Sequence, residues 1–318
     1  MKNEENDEKL VVNEDKDKEV DASSGNLKLI KTIIYVGFII SIALVVIGIV
    51  KYFLVEQDSE PEPKTKPDSD PKENGIFQIY EKIETISERE NIKVYKCKKA
   101  NTNETVAIKE IEMNSGIKKE DIEKEVETME KFNDNVNSLK FIEKKEENNN
   151  TYIVLESYDG DLKKYLDNSK NGFNVDEIQI VMNQLNNIVA EIRKNNMTHN
   201  DIKLENIFVK FKDDAPKEFY IKLSEYGKAK DLKSDNEKND ILSLGKAMYE
   251  MISKIKVDSI EDMRNNITSV TDNSDLQNLL NRTLVEKVDE IIDWENYTQH
   301  AFFSTKPDYS KVENIVKK

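Results

Sequence analysis

The stretch Met197-Thr198-His199-Asn200-Asp201-Ile202-Lys203-Leu204-Glu205-Asn206-Ile207-Phe208-Val209 sets a histidine, a carboxylate, an ammonium and an amide at short fixed intervals, then runs into an apolar segment. A carboxylate accepts a hydroxyl proton, a cation offsets developing negative charge, and an amide oxygen ligates a hard metal ion. Phosphoryl transfer calls for those three groups together. Asp201, Lys203 and Asn206 supply them in that order. Asn, Asp and Lys are abundant throughout the chain, so the flanking segments decide between a motif and a chance spacing.

Upstream, Thr105-Val106-Ala107-Ile108-Lys109 reads as a strand. Alternation puts Ala107 and Lys109 on one face and Val106 and Ile108 on the other. From Lys119 to Phe132 the apolar residues Ile122, Val126, Met129 and Phe132 recur at helical steps. Glu125 shares their inward stripe, where a carboxylate is costly to bury without a partner. Tyr152 to Tyr158 reads as another strand, and Ile178, Met182, Leu185, Ile188, Val189 and Ile192 form the stripe of a long helix. Downstream, Ile207–Phe211 and Phe219–Leu223 predict a hairpin around Asp213-Asp214-Ala215-Pro216.

In this order the segments resemble a eukaryotic-type protein-kinase domain. His199 to Asn206 matches the catalytic loop H-R-D-x-K-x-x-N, and Val106-Ala107-Ile108-Lys109 matches the V-A-I-K of the third strand. Asp240 to Glu250 is similar to the D-x-W-S-x-G helix, and Ile292 to Phe303 to the closing I-S-W-E-x-x-x-x-H-P-F-F. The resemblance implies an α+β, two-lobed fold with a small β-rich N-lobe and a helical C-lobe. It implies ATP and Mg²⁺ as cofactors, Asp201 and Lys203 as catalytic residues, and Asn206 and Glu225 as metal ligands. Around the nucleotide it implies a Lys109–Glu125 ion pair, with Ala107, Leu155 as gatekeeper and Glu156 at the start of the hinge.

The departures from the family pattern bear on activity. Ser87, Arg89 and Ile92 stand where three glycines would let backbone approach phosphates. The D-F-G station reads Glu225-Tyr226-Gly227; its longer carboxylate must fold back to reach an ion that tolerates little departure from octahedral geometry. Asn200 replaces the Arg that pairs with a phosphorylated activation loop. Only the 12 residues from Lys228 to Asn239 separate Gly227 from Asp240, and no A-P-E motif is present. The late C-lobe Arg that pairs with the Glu of that motif falls near Ile291. Losing both partners together avoids stranding a buried charge. These losses point to a pseudokinase acting as scaffold or allosteric regulator with weak or no ATP binding; the alternative is an active, divergent serine/threonine kinase.

The 318 residues carry a net charge of −15, which argues against a nucleic-acid partner. The single cysteine, Cys97, excludes an intrachain disulfide. The 19 residues from Thr32 to Val50 contain no charge and are long enough to span a bilayer. We therefore expect a single-pass membrane protein. Its parts are an acidic, disordered tail over 1–28, a transmembrane helix over 29–55, a Pro-rich linker over 56–75, the kinase-like domain over 76–305 and a tail over 306–318. Lysines flank the span on both sides, so charge asymmetry barely orients it. A nucleotide-dependent family favours a cytosolic domain.

Overall fold

Alternation along Thr105–Glu112 builds two cores on opposite faces of one sheet. Val106 and Ile108 pack with Tyr95, Cys97, Tyr152 and Val154 on one side. Ala107 and Ile111 join Ile153 and Leu155 in the larger core on the other. The computed structural model describes residues 75–113, 116–213, 215–256 and 258–317. After a helical turn, α1 (Ile76–Ile79), come β1 (Tyr80–Arg89), β2 (Ile92–Lys99), β3 (Thr105–Glu112), α2 (Lys119–Lys131), β4 (Phe141–Glu147) and β5 (Asn150–Glu156). The strands form a five-stranded sheet in the order β1-β2-β3-β5-β4. β1 lies at its edge and breaks register between Lys82 and Glu84 and again between Thr85 and Ser87. These irregularities leave Ile83 and Ile86 without a partner in the register, and both side chains are exposed.

α2 begins with Glu120 and Asp121 and ends with Lys131, charges that complement the helix dipole. Its buried residues Ile122, Val126 and Met129 face the sheet's larger core.

Beyond β5 lie β6 (Gly160–Asp161), α3 (Leu162–Asn168), α4 (Val175–Lys194), β7 (Met197–Thr198), β8 (Ile207–Lys212), β9 (Ala215–Leu223) and β10 (Lys230–Asp231). The helices α5 (Ser234–Ser253), α6 (Ile260–Val270), α7 (Ser274–Thr283) and α8 (Trp294–Thr298) follow. A β-sheet lobe followed by a helical lobe is the two-lobed architecture expected. The predicted hairpin is β8–β9, paired antiparallel from Ile207↔Leu223 onward. α4 starts with a capping box between Asn174 and Glu177 and buries the whole Ile178 to Ile192 stripe. α5 approaches α7 at Gly245, where a Cβ would lie 2.4 Å from Thr283 Oγ1, so no larger residue fits without movement.

Residues 306–317, read as a tail in the sequence, pack onto the helical lobe. Val312 and Ile315 are fully buried in its core. The Glu177 carboxylate, itself fully buried, accepts the backbone N–H groups of Glu313 at 2.8 Å and Asn314 at 2.6 Å. Val312 and Ile315 stand among charged and polar residues with no sustained periodic pattern, which is why sequence reading passed over them. No helix among the described residues is long and apolar enough to cross a membrane. The candidate span Thr32–Val50 lies outside the described residues, as do the acidic tail and most of the linker.

Candidate nucleotide site

The loop from His199 to Asn206 is held in shape from beneath by α5. Both Asp240 carboxylate oxygens accept backbone N–H groups at 2.7 Å, from His199 and Asn200. Burial raises the Asp240 carboxyl to about 6, and those two N–H donors oppose the rise. His199 is fully buried. Its Nδ1 accepts the Asp201 N–H at 3.2 Å, so its Nε2–H is the donor to the Ser224 carbonyl at 3.0 Å. Burial pushes this imidazole down to about 4. Asn200 adopts φ 61°, in the left-handed region where Asn is favoured among non-glycine residues. Local backbone geometry thus suits the residue that replaces the family's Arg.

Asp201 is surrounded by donors. Asn206 Nδ2 reaches its Oδ2 at 2.9 Å and its backbone carbonyl at 2.9 Å. Lys203 Nζ lies 3.2 Å from Oδ2 and Lys228 Nζ 2.9 Å from Oδ1. Burial alone would raise its carboxyl, but hydrogen bonds from Lys228 and Lys203 hold it below the usual range. Lys228 was not singled out in the sequence, because a contact made through space across a turn leaves no spacing pattern.

Lys109, on β3, is the second centre. Its Nζ lies 2.9 Å from Glu125 Oε1 on α2, and both Glu225 oxygens lie 3.2 Å away. Burial opposes the ammonium charge, yet the two carboxylates outweigh it and raise its pKa. Glu225 sits at φ 64° and ψ 56°, a strained conformation for a residue of its type. The next side chain holds it there. Tyr226 is fully buried, stacks on Phe132 at 5.6 Å, meets the His199 ring edge-on at 5.2 Å and shares a 2.8 Å hydrogen bond with Ser138.

Ala107 and Leu155 stand opposite each other in the β3–β5 register and are both buried. Glu156 closes β5, where the chain leaves the sheet. Its carboxylate is taken by Lys222 at 2.8 Å, Lys210 at 2.7 Å and the Lys140 N–H at 3.0 Å. The side chain therefore ties β5 to the β8–β9 hairpin, and its backbone N–H donates to the Lys140 carbonyl at 2.9 Å. Two aromatic residues unremarked in the sequence meet nearby: the rings of Tyr158 and Phe208 lie 4.0 Å apart, centroid to centroid, at 30°.

A lysine bridged to a helix carboxylate, beside a loop that presents Asp201 with Lys203 and Asn206, is the arrangement the family resemblance implied. The protein kinase domain family matches residues 80–249, more than half of the chain. The chain belongs to the protein kinase family. Its kinase domain is 31% identical over 150 residues to a CDPK-related protein kinase of Daucus carota, covering 45% of this chain and 24% of that protein. It is 32% identical over 161 residues to cyclin-dependent kinase 1 of Encephalitozoon cuniculi, covering 48% and 51%. Against the CTD kinase subunit alpha of Schizosaccharomyces pombe it is 28% identical over 196 residues, covering 59% and 32%. The matched region thus spans a quarter to a half of these relatives' lengths.

Kinase domains in general use ATP and Mg²⁺. Here the phosphate end of the site retains Lys109 with its Glu125 partner. The metal end fits less well. Asn206 spends both amide hydrogens on Asp201 and keeps its oxygen for a cation, but the Glu225 carboxylate is engaged by Lys109. Among the described residues no group of three or more His, Cys, Asp or Glu side chains is placed to hold a metal ion.

Proposed function

We propose that this chain is a membrane-tethered kinase-family protein that works as a scaffold or allosteric partner and binds nucleotide weakly, with little dependence on Mg²⁺. The observation that carries this reading is Glu225, whose two oxygens both lie 3.2 Å from Lys109 Nζ. An acidic residue engaged that way competes with phosphate for the buried Lys109 ammonium and withholds a ligand from the metal. The segment after it supports the same reading. Only residues 229–233 lie between the Tyr226–Lys228 turn and the start of α5, too short a run to build a docking surface for a peptide. Lys238 Nζ donates to the Ile291 carbonyl, so the region of the missing A-P-E partner Arg is closed by a different contact. The membrane tether rests on the 19 uncharged residues from Thr32 to Val50, with the kinase domain on the cytosolic side.

A second reading, an active and divergent serine/threonine kinase, is favoured by the intact assembly of Asp201, Lys203 and Asn206. Fold alone does not decide between the two. Thermal unfolding of the protein with ATP, with and without Mg²⁺, separates them. The scaffold reading expects a small shift that Mg²⁺ leaves nearly unchanged; a large shift seen only with Mg²⁺ would favour the active enzyme.

A further inference from the structure

We propose that Tyr158 is a built-in occupant of the base-binding part of the cleft, so that a nucleotide binds only after this ring swings out. The inference rests on the reading above, in which the cleft is a weak nucleotide site, and it adds what keeps that site closed.

Tyr158 lies two residues beyond Glu156, where the chain passes from the sheet to the helical lobe. Its ring lies against Phe208, with centroids 4.0 Å apart and the planes tilted by 30°. Phe208 lies between the buried residues Ile207 and Val209 on β8, so strand alternation turns its ring away from the lobe core. Both rings are partly buried against the main hydrophobic cluster, which runs through both lobes and includes Ala107 and Leu155 as well as Ile207 and Val209. The phenol is pushed up to about 12, first by burial and then by the Asp161 and Glu225 carboxylates, while Lys109 acts in the opposite direction. The ring therefore sits within the electrostatic reach of the groups at the phosphate end. No hydrogen bond holds its hydroxyl among the described residues, so apolar stacking alone retains it.

The other two contacts in the cleft follow the same logic. Glu225 presents a carboxylate to Lys109, where a phosphate would otherwise sit. Lys228 presents an ammonium to Asp201, the carboxylate that the resemblance makes the proton acceptor. An aromatic ring and an anion from the chain itself thus match two chemical parts of a nucleotide, its base and its phosphate. A ligand must displace them, and its apparent affinity falls by the fraction of molecules in which the ring is out.

Adenosine tests the ring alone, because it carries neither phosphate nor metal. Calorimetric titration of adenosine into the full chain in detergent is expected to show at least tenfold tighter binding to Tyr158→Ala than to wild type. Tyr158→Phe, which keeps the stacking ring, should behave as wild type. Tyr158→Leu serves if the alanine variant melts early, and it is expected to gain affinity as well. Equal adenosine affinity in wild type and in a folded Ala or Leu variant would overturn the proposal. So would a Phe variant that gains as much as Ala, since the hydroxyl rather than the ring would then be the restraint. The Mg²⁺ dependence of ATP binding in the wild type is read separately, so that reading and this one can fail independently.

Discussion

Lys109 is shared between two carboxylates, and the sharing sets what each is worth. Removing one partner of a buried pair usually costs about 3–5 kcal/mol, because the other charge is stranded. Here Glu125→Ala leaves Lys109 with Glu225, so the expected loss is about 1–3 kcal/mol. Glu127→Ala, an exposed change on the same helix, is expected to cost under about 0.5 kcal/mol. Urea midpoints compare the two directly, and coincident values would place Glu125 outside any ion pair in solution. A different residue-scale test uses pH. Burial holds His199 near 4, below its ordinary 6.5; protonation favours the unfolded chain, and stability is lost as pH falls through that window. Asp240 has the opposite sign. Its carboxyl rises from 3.8 to about 6, so the fold binds that proton more tightly and loses stability as pH climbs from 3.8 to 6. Asp240→Asn removes this second effect alone. Its cost should therefore shrink by about 2 kcal/mol between pH 4 and pH 7, and a pH-independent cost would contradict the assignment. Glu125 was legible because a carboxylate on an apolar stripe demands a partner. Tyr158 and Lys228 were not, since each acts on a residue that sequence distance does not connect to it.

At the scale of elements, periodicity located the long helices and the alternating faces of β3, where burial imposes a pattern on the sequence. The short pieces escaped it. β10 is two residues long and owes its strand character to pairing with β7, Lys230 against Thr198 and Asp231 against Met197. That pairing uses up the few residues between Lys228 and α5, and it bears on catalysis. Phosphoryl transfer gains much of its rate from holding the acceptor in line, and no segment remains here to hold a protein acceptor beside Asp201. Incubation of the protein with labelled ATP and a mixed protein lysate is thus expected to leave no label that depends on Asp201. A wild-type signal that vanishes in Asp201→Asn would reverse this and favour the active kinase.

At the scale of the whole molecule, two regions were read on different grounds. The kinase domain was legible because its motifs stand in fixed order over some two hundred residues, each requiring the next in space. The proposed membrane tether rests on apolar length alone, and it invites its own measurement. Leu44→Arg with Val45→Arg places two charges mid-span, each disfavoured there by about 2.5–3.5 kcal/mol. Wild type is expected in the detergent fraction after carbonate washing and the double variant in the wash; identical partitioning would argue against a span. The docked segment 306–317 was the least legible part, since its order comes from Glu177 on α4, far away in sequence. Its position has a consequence for synthesis. Domains form as the chain emerges, N-terminal parts first, yet Val312 and Ile315 complete the core of the helical lobe. Until those residues leave the ribosome, α4 waits with an open apolar face and a carboxylate short of donors. The helical lobe therefore closes only after translation has passed residue 315, so a chain stalled before that point would meet the cell's chaperones with its core still open.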